Sequence, residues 1–119
     1  VQANNPSKVM KNAKQSRCVI GIKGQTPDPD FPVDIWFDSL KSVANVLSKE
    51  NQQLLKVIAE QQPQSVTELA MLSGRAVSNV SRTLKTLGKY NLIEMTKSQN
   101  GLAVKLRYQS MLLLIQPLE

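Results

Sequence analysis

The sequence predicts an α+β fold, mainly helical, in which a run of helices is closed by a C-terminal β-hairpin and flanked by short strands. Three observations predict it. From Ile35 to Leu87 apolar residues recur at three- and four-residue steps, the period of amphipathic helices. Asn100-Gly101 separates two stretches of alternating character, and Asn-Gly in that setting is the strongest short-range hairpin signal. Short apolar runs, Cys18 to Ile22 and Met111 to Ile115, lie outside the helical stretch on either side.

A chain of 119 residues has room for one domain, since domains usually run to about 100 to 150 residues. Its 41% hydrophobic content includes only five aromatics, so Leu and Val must fill most of the core. Fifteen Lys and Arg against nine Asp and Glu give a net charge of +6, which makes a polyanion the first partner to consider. There is no His, and Ser-His-Asp catalysis, His-ligated zinc or haem and imidazole switching are thereby excluded. The lone Cys18 can form neither an intrachain disulfide nor a thiolate cluster and suits a reducing cytoplasm. We read it as a small buried apolar side chain. The apolar run from Met111 to Ile115 is far short of the roughly 20 residues that span a bilayer, so no membrane partner is expected. Val1 is not an initiator, and Met10 is a candidate natural start.

Taken in order, residues 1–33 read as a basic arm and connector. Lys8, Lys11, Lys14, Arg17 and Lys23 stand without an acid before Asp28, Asp30, Asp34 and Asp38 reverse the charge. Cys18-Val19-Ile20-Gly21-Ile22 is a β-favouring run. The three prolines between Thr26 and Pro32 require an extended connector. Ile35, Trp36, Leu40, Val43, Ala44 and Leu47 then predict an amphipathic helix over 34–47 with Asp34 as its cap. Ser48 caps a second helix that turns Leu54, Leu55, Ile58 and Ala59 inward and stops at Pro63.

The stretch 65–91 is the most informative. Ser65-Val66-Thr67-Glu68 has capping-box spacing, with the Ser hydroxyl on a free N–H and the Glu reaching back. It opens a short helix containing Leu69, Ala70 and Leu72, and Gly74 supplies the turn. A further helix runs from about Ala76 to Lys89, with Val77, Val80, Leu84 and Leu87 as one apolar stripe and Ser78, Asn79, Arg82, Thr83, Lys85 and Thr86 away from it. Asn91 suits the left-handed helix end. Taking Asn100-Gly101 as a type I′ turn pairs Lys97 with Val104, Met95 with Leu106 and Ile93 with Tyr108. Ile93, Met95, Val104, Leu106 and Tyr108 then share one face, and Glu94 stands opposite Arg107. The run Met111 to Ile115 fits either a covered strand or an interface helix.

Helix, helix, capped helix, tight turn, helix with a polar outer face and hairpin is the order of a winged helix-turn-helix, which we place at 34–109. The sequence from Ser65 to Gly74, followed by Val77-Ser78-Asn79-Val80-Ser81-Arg82-Thr83-Leu84-Lys85-Thr86-Leu87 and Asn91-Leu92-Ile93-Glu94, resembles the MarR and ArsR superfamily of transcriptional regulators. The resemblance spans about residues 48–108, and its most specific part, Val80 to Leu87, is similar to the recognition helix of that superfamily. The whole chain also resembles short predicted regulators, some of them similar to antitoxins encoded beside a toxin gene. Asn91 stands where the superfamily usually has Gly, and the Cys, His and carboxylate clusters of its metal sensors are absent. Without those clusters no cofactor or metal is expected, and the resemblance supplies no effector.

A B-form major groove about 12 Å wide admits one α-helix. Ser78, Asn79, Arg82 and Thr83 are the candidates for base contact, with Arg forking onto guanine and Asn onto adenine. Arg75, Lys85 and Lys89 are candidate phosphate contacts, and Lys97, Lys105 and Arg107 are candidate wing contacts. From 75 to 107 these seven bases face one acid, Glu94. The expectation is a homodimeric repressor of the cytoplasm that binds double-stranded DNA, with the apolar segment 110–119 in dimerisation. The alternative is an antitoxin that binds a toxin protein and autoregulates its operon. No residues are arranged for catalysis, so an enzyme is not expected.

Overall fold

The computed structural model describes residues 17–27 and 32–117. The expected basic arm at Lys8, Lys11 and Lys14 and the connector acids Asp28 and Asp30 lie outside the described residues. The chain divides into two compact units: Asp38–Arg107, and the flanking segments up to Phe37 and from Tyr108 onward.

The Asp38–Arg107 unit holds helices α1 (Leu40–Val46), α2 (Lys49–Gln61), α3 (Val66–Ser73) and α4 (Val77–Lys89), then strands β3 (Ile93–Ser98) and β4 (Gly101–Leu106). Serine opens the first three helices. The hydroxyls of Ser39, Ser48 and Ser65 accept from the N–H groups of Ser42, Asn51 and Glu68 at 3.1, 3.2 and 3.0 Å, each satisfying a donor that the helix start leaves free. The Glu68 carboxylate reaches back as the box predicts, but to the N–H of Gln64 at 2.6 Å.

Left-handed residues end the elements. Gln62 (φ 49) closes α2 before Pro63, Gly74 (φ 71) closes α3, and Asn91 (φ 59) follows α4. Beyond Gly74 the Arg75 N–H donates to the Ala70 carbonyl at 3.1 Å, and beyond Asn91 the Leu92 N–H donates to Leu87 at 3.0 Å, so both chain reversals satisfy helix-end carbonyls. Val43, Val46, Leu54, Leu55, Ile58, Leu69, Val80, Leu84, Leu87, Ile93 and Val104 are buried in this unit. Ala59 and Val77, expected inside, are exposed, as is Leu72. They stand at the margins of their apolar stripes, where the helix surface turns to solvent. Helices α3 and α4 pack together, α2 packs on α3 and β4, and α4 packs on β3. The whole is a winged helix-turn-helix in which α3, the turn at Gly74 and α4 are followed by the β3–β4 wing.

Two predicted elements are corrected. Residues 34–47 are not one helix: Ile35–Phe37 is strand β2 and the helix starts only at Leu40. Ile35 and Phe37 are buried while Trp36 is 44% exposed, an alternation of period two that the steps from Ile35 to Leu40 concealed. Asp34 caps no helix, and its Oδ2 accepts from the Val19 N–H at 2.7 Å. The wing pairs Ile93 with Leu106, Met95 with Val104 and Lys97 with Leu102, with Gln99 and Asn100 as its loop. The register is two residues from the one expected, which preserves every face. A type I′ turn needs positive φ at both central residues, yet among the described non-glycine residues only Gln62 and Asn91 have it. Gly101 takes the unusual conformation instead, at φ 129. The Ser98 hydroxyl, 2.7 Å from the Gln64 carbonyl, and the Val104 N–H, 3.4 Å from that of Pro63, hold the wing against the α2–α3 connection. Ala103 is buried as well as Val104, so β4 is covered on both faces at its centre.

The flanking unit is a three-stranded parallel sheet in the order β2-β1-β5, with β1 at Arg17–Ile22 and β5 at Ser110–Leu114. Both apolar runs are therefore strands. Ile20 pairs with Ile35 on one side and Leu113 on the other. Cys18, Ile20, Ile22, Ile35 and Phe37 are buried. Gly21 pairs with Trp36, and the indole lies so close that a Cβ at Gly21 would come within 2.9 Å of it. The Thr26 hydroxyl accepts from the Ile22 N–H at 2.6 Å and donates to the Leu114 carbonyl at 2.7 Å, tying both strands to the first turn after β1.

Candidate nucleic-acid interface

The outer side of α4 carries two rows of side chains. Because α-helical residues advance by about 100°, Ser78, Arg82, Lys85 and Lys89 fall on one line, and all four are exposed. The inner side, Val80, Leu84 and Leu87, is buried, which fixes the rotation of the helix and leaves that line facing solvent. Beside it runs a second row, Asn79 and Thr83, one turn apart. Asn79 is exposed and Thr83 half-buried.

This second row is held from the turn. Gly74 in the left-handed region redirects the chain so that Arg75, half-buried, lays its guanidinium along the first turns of α4. Its Nε donates to Asn79 Oδ1 at 2.7 Å, its Nη2 donates to the same oxygen, and Nη2 also donates to Thr83 Oγ1 at 2.9 Å. Nη1 is closed off from solvent and has no hydrogen-bond partner. The sequence places Arg75 among phosphate contacts, whereas its donors here serve two neighbours. Spacing signalled only part of this: Asn79 and Thr83 are four apart on α4 and share a side, whereas Arg75 precedes the helix and reaches them from the turn. A cleft of about 510 Å³ opens beside this group, lined among others by Glu50, Gln53, Val57 and Asn79.

The N-terminus of α4 differs from the other three. Ala76 is its N-cap residue and makes no side-chain cap, so the first N–H groups of the helix find no serine hydroxyl there. On the wing, Lys97, Lys105 and Arg107 are exposed but do not form one patch. Lys97 shares the face of Met95 and Val104, while Lys105 pairs with Glu94 on the opposite face. Arg107 Nη2 lies 3.9 Å from Glu94 Oε2. The single acid of the stretch is thus placed between two of its bases. No cluster of Cys, Asp or Glu among the described residues could hold a metal ion, and no helix among them is long and apolar enough to cross a membrane.

A family model, HVO_A0114, matches residues 46–112, more than half of the chain and all of α2 to α4 and the wing. The chain belongs to the HVO_A0114 family. No curated protein matches it. Among solved structures, this HVO_A0114 member is similar to the crystal structure of a predicted DNA-binding transcriptional regulator from E. coli, with a TM-score of 0.50 and 16% identity. The likeness covers 58% of this chain and 74% of that one. At that identity the likeness is one of fold, and it reinforces the winged helix-turn-helix architecture built above.

Proposed function

We propose that the protein is a transcriptional regulator of the MarR/ArsR type that binds double-stranded DNA sequence-specifically by laying α4 in the major groove. The observation that carries this reading is the exposed row Ser78, Arg82, Lys85 and Lys89 on a helix whose opposite side is fixed by Val80, Leu84 and Leu87. Arg82 offers a fork for guanine, and Lys85 and Lys89 follow along the helix as phosphate contacts. The uncapped start of α4 offers further N–H groups to a phosphate. Lys97, Lys105 and Arg107 are assigned to the sugar-phosphate backbone beside the wing.

The regulator acts as a homodimeric repressor, its two α4 helices entering successive major grooves about 34 Å apart on a pseudo-palindrome. The segment 110–119 supplies the dimer contact. Met111, Leu112 and Leu113 are exposed there, and the antitoxin alternative assigns those residues to a toxin instead. Binding to the DNA upstream of the protein's own gene tests the first reading. Arg82→Ala should weaken specific binding by about 5- to 150-fold, the worth of one bidentate base contact. Lys85→Ala should weaken all sequences alike and flatten the salt dependence. Unchanged operator affinity in Arg82→Ala would remove α4 from the groove.

A further inference from the structure

We propose that Arg75 is a positioning residue that leaves Asn79 with hydrogen bonds only to donate, so that α4 selects guanine rather than adenine opposite Asn79. The inference rests on the DNA-reading role of α4 proposed above, and it reverses the adenine preference that the sequence suggests for an asparagine at this position.

A guanidinium has five N–H donors and no acceptor. Whatever Asn79 turns toward Arg75 must therefore accept, which identifies that atom as the amide oxygen. Amide orientation is otherwise a matter of assignment from the surrounding network. Here the chemistry of the neighbour settles it. A carbonyl oxygen has two lone pairs, and Arg75 Nε and Nη2 both donate to Asn79 Oδ1. The oxygen is saturated. Thr83 Oγ1 also accepts from Nη2, which occupies one of its two lone pairs and anchors the far end of the guanidinium.

Asparagine reads adenine by two bonds at once, Oδ1 accepting from N6–H while Nδ2 donates to N7. The first of these is blocked. What Asn79 still offers is Nδ2 with two N–H groups, and the base edge with two adjacent acceptors in the major groove is guanine, through N7 and O6. Adenine would set its N6 amino group against the Asn79 amino group, donor against donor. The clamp is seated rather than dangling. Arg75 is half-buried, its Nη1 is shut off from solvent, and its backbone is fixed by the bond from its N–H to Ala70 at 3.1 Å.

The test is selection from duplexes randomised across the half-site, using the full-length protein, Asn79→Ala, Arg75→Ala and Arg75→Lys. The wild type should select guanine at the one position whose preference disappears in Asn79→Ala. Replacing that guanine by adenine should weaken binding on the order of 10- to 100-fold. In Arg75→Ala, with Oδ1 released, the preference at that position should move toward adenine. Arg75→Lys keeps the charge and loses the fork, so it should show the same move; a mere phosphate contact would leave base preference unchanged in both variants, and that result overturns the proposal. Selection of adenine by the wild type at the Asn79-dependent position overturns it equally. A second arm needs no DNA. In the free protein the Arg75 Nε–H resonance should exchange slowly with water and shift in Asn79→Ala, and an exposed, unshifted resonance refutes the clamp even if DNA is bound. If no sequence is retained by the wild type, the DNA-reading role falls and the base preference with it, while the Arg75 resonance reports separately on the clamp.

Discussion

Cys18 is decided by its surroundings. It is fully buried in β1, and that burial pushes its thiol up from 9.0 to about 11, with the Asp34 carboxylate adding to the shift. Since the thiolate is the nucleophile, a shift of this size should slow alkylation near pH 8 by roughly 100-fold relative to the unfolded chain. Reaction with iodoacetamide, with and without denaturant, measures it. The linkage has a definite sign. The folded protein holds the Cys18 proton more tightly than the unfolded chain does, so this contribution to stability is fully present below pH 9 and is lost as the pH rises toward about 11. Urea midpoints at pH 8, 9.5 and 11 should fall more steeply for the wild type than for Cys18→Ala, the difference isolating this thiol. Alkylation as fast in the folded as in the unfolded chain would show that β1 opens readily.

Helices and strands differ in how openly the sequence writes them. Serine caps, a glycine stop and an apolar stripe act within a few residues, so α2, α3 and α4 are legible from local chemistry. Ser65 is the sharpest case: its hydroxyl takes the Glu68 N–H at 3.0 Å. Ser65→Ala should destabilise by about 1 kcal/mol, whereas Ser65→Asn, an equally good cap, should stay within a few tenths. Thermal unfolding of the three proteins checks it, and equal loss in both variants would mean that volume rather than capping is at stake. Strands β2 and β5 are less legible because their pairing is non-local. Ile35 and Phe37 become strand residues only by lying beside Ile20 and Ile22, and apolar residues spaced for a helix can serve that purpose too. In the wing, alternation revealed the faces but not the register, because a slip of two residues changes no face. The register is settled by contacts from Ser98 and Val104 to Gln64 and Pro63, over thirty residues upstream. For the candidate site, the exposed row on α4 was readable from periodicity. The Arg75 clamp was hidden because phosphate contact is the default reading for a basic residue beside such a helix.

Across the whole molecule, the two edges of the parallel sheet are treated differently. The β2 edge is three residues long, preceded by Pro32 and Asp34 and followed by Asp38, the short and charged form by which proteins discourage strand addition. The β5 edge is five residues without a charge, with Met111, Leu112 and Leu113 between 37% and 41% exposed. An unguarded apolar edge invites another strand, and the homodimer proposed above would use it by adding the partner's β5. Leu112→Lys places a charge there without touching the buried Cys18, Ile20 and Ile22. Sedimentation should then show half the wild-type mass. Affinity for a two-half-site operator should fall by about 100- to 10,000-fold as bivalency is lost, with affinity for one half-site unchanged. A variant that remains dimeric would move the interface elsewhere. A wild type that is monomeric in solution and on DNA would leave α4 reading one groove at a time. If Leu112→Lys instead released a neighbouring toxin without altering mass, β5 would belong to that partner, and the exposed leucines would mark an antitoxin surface.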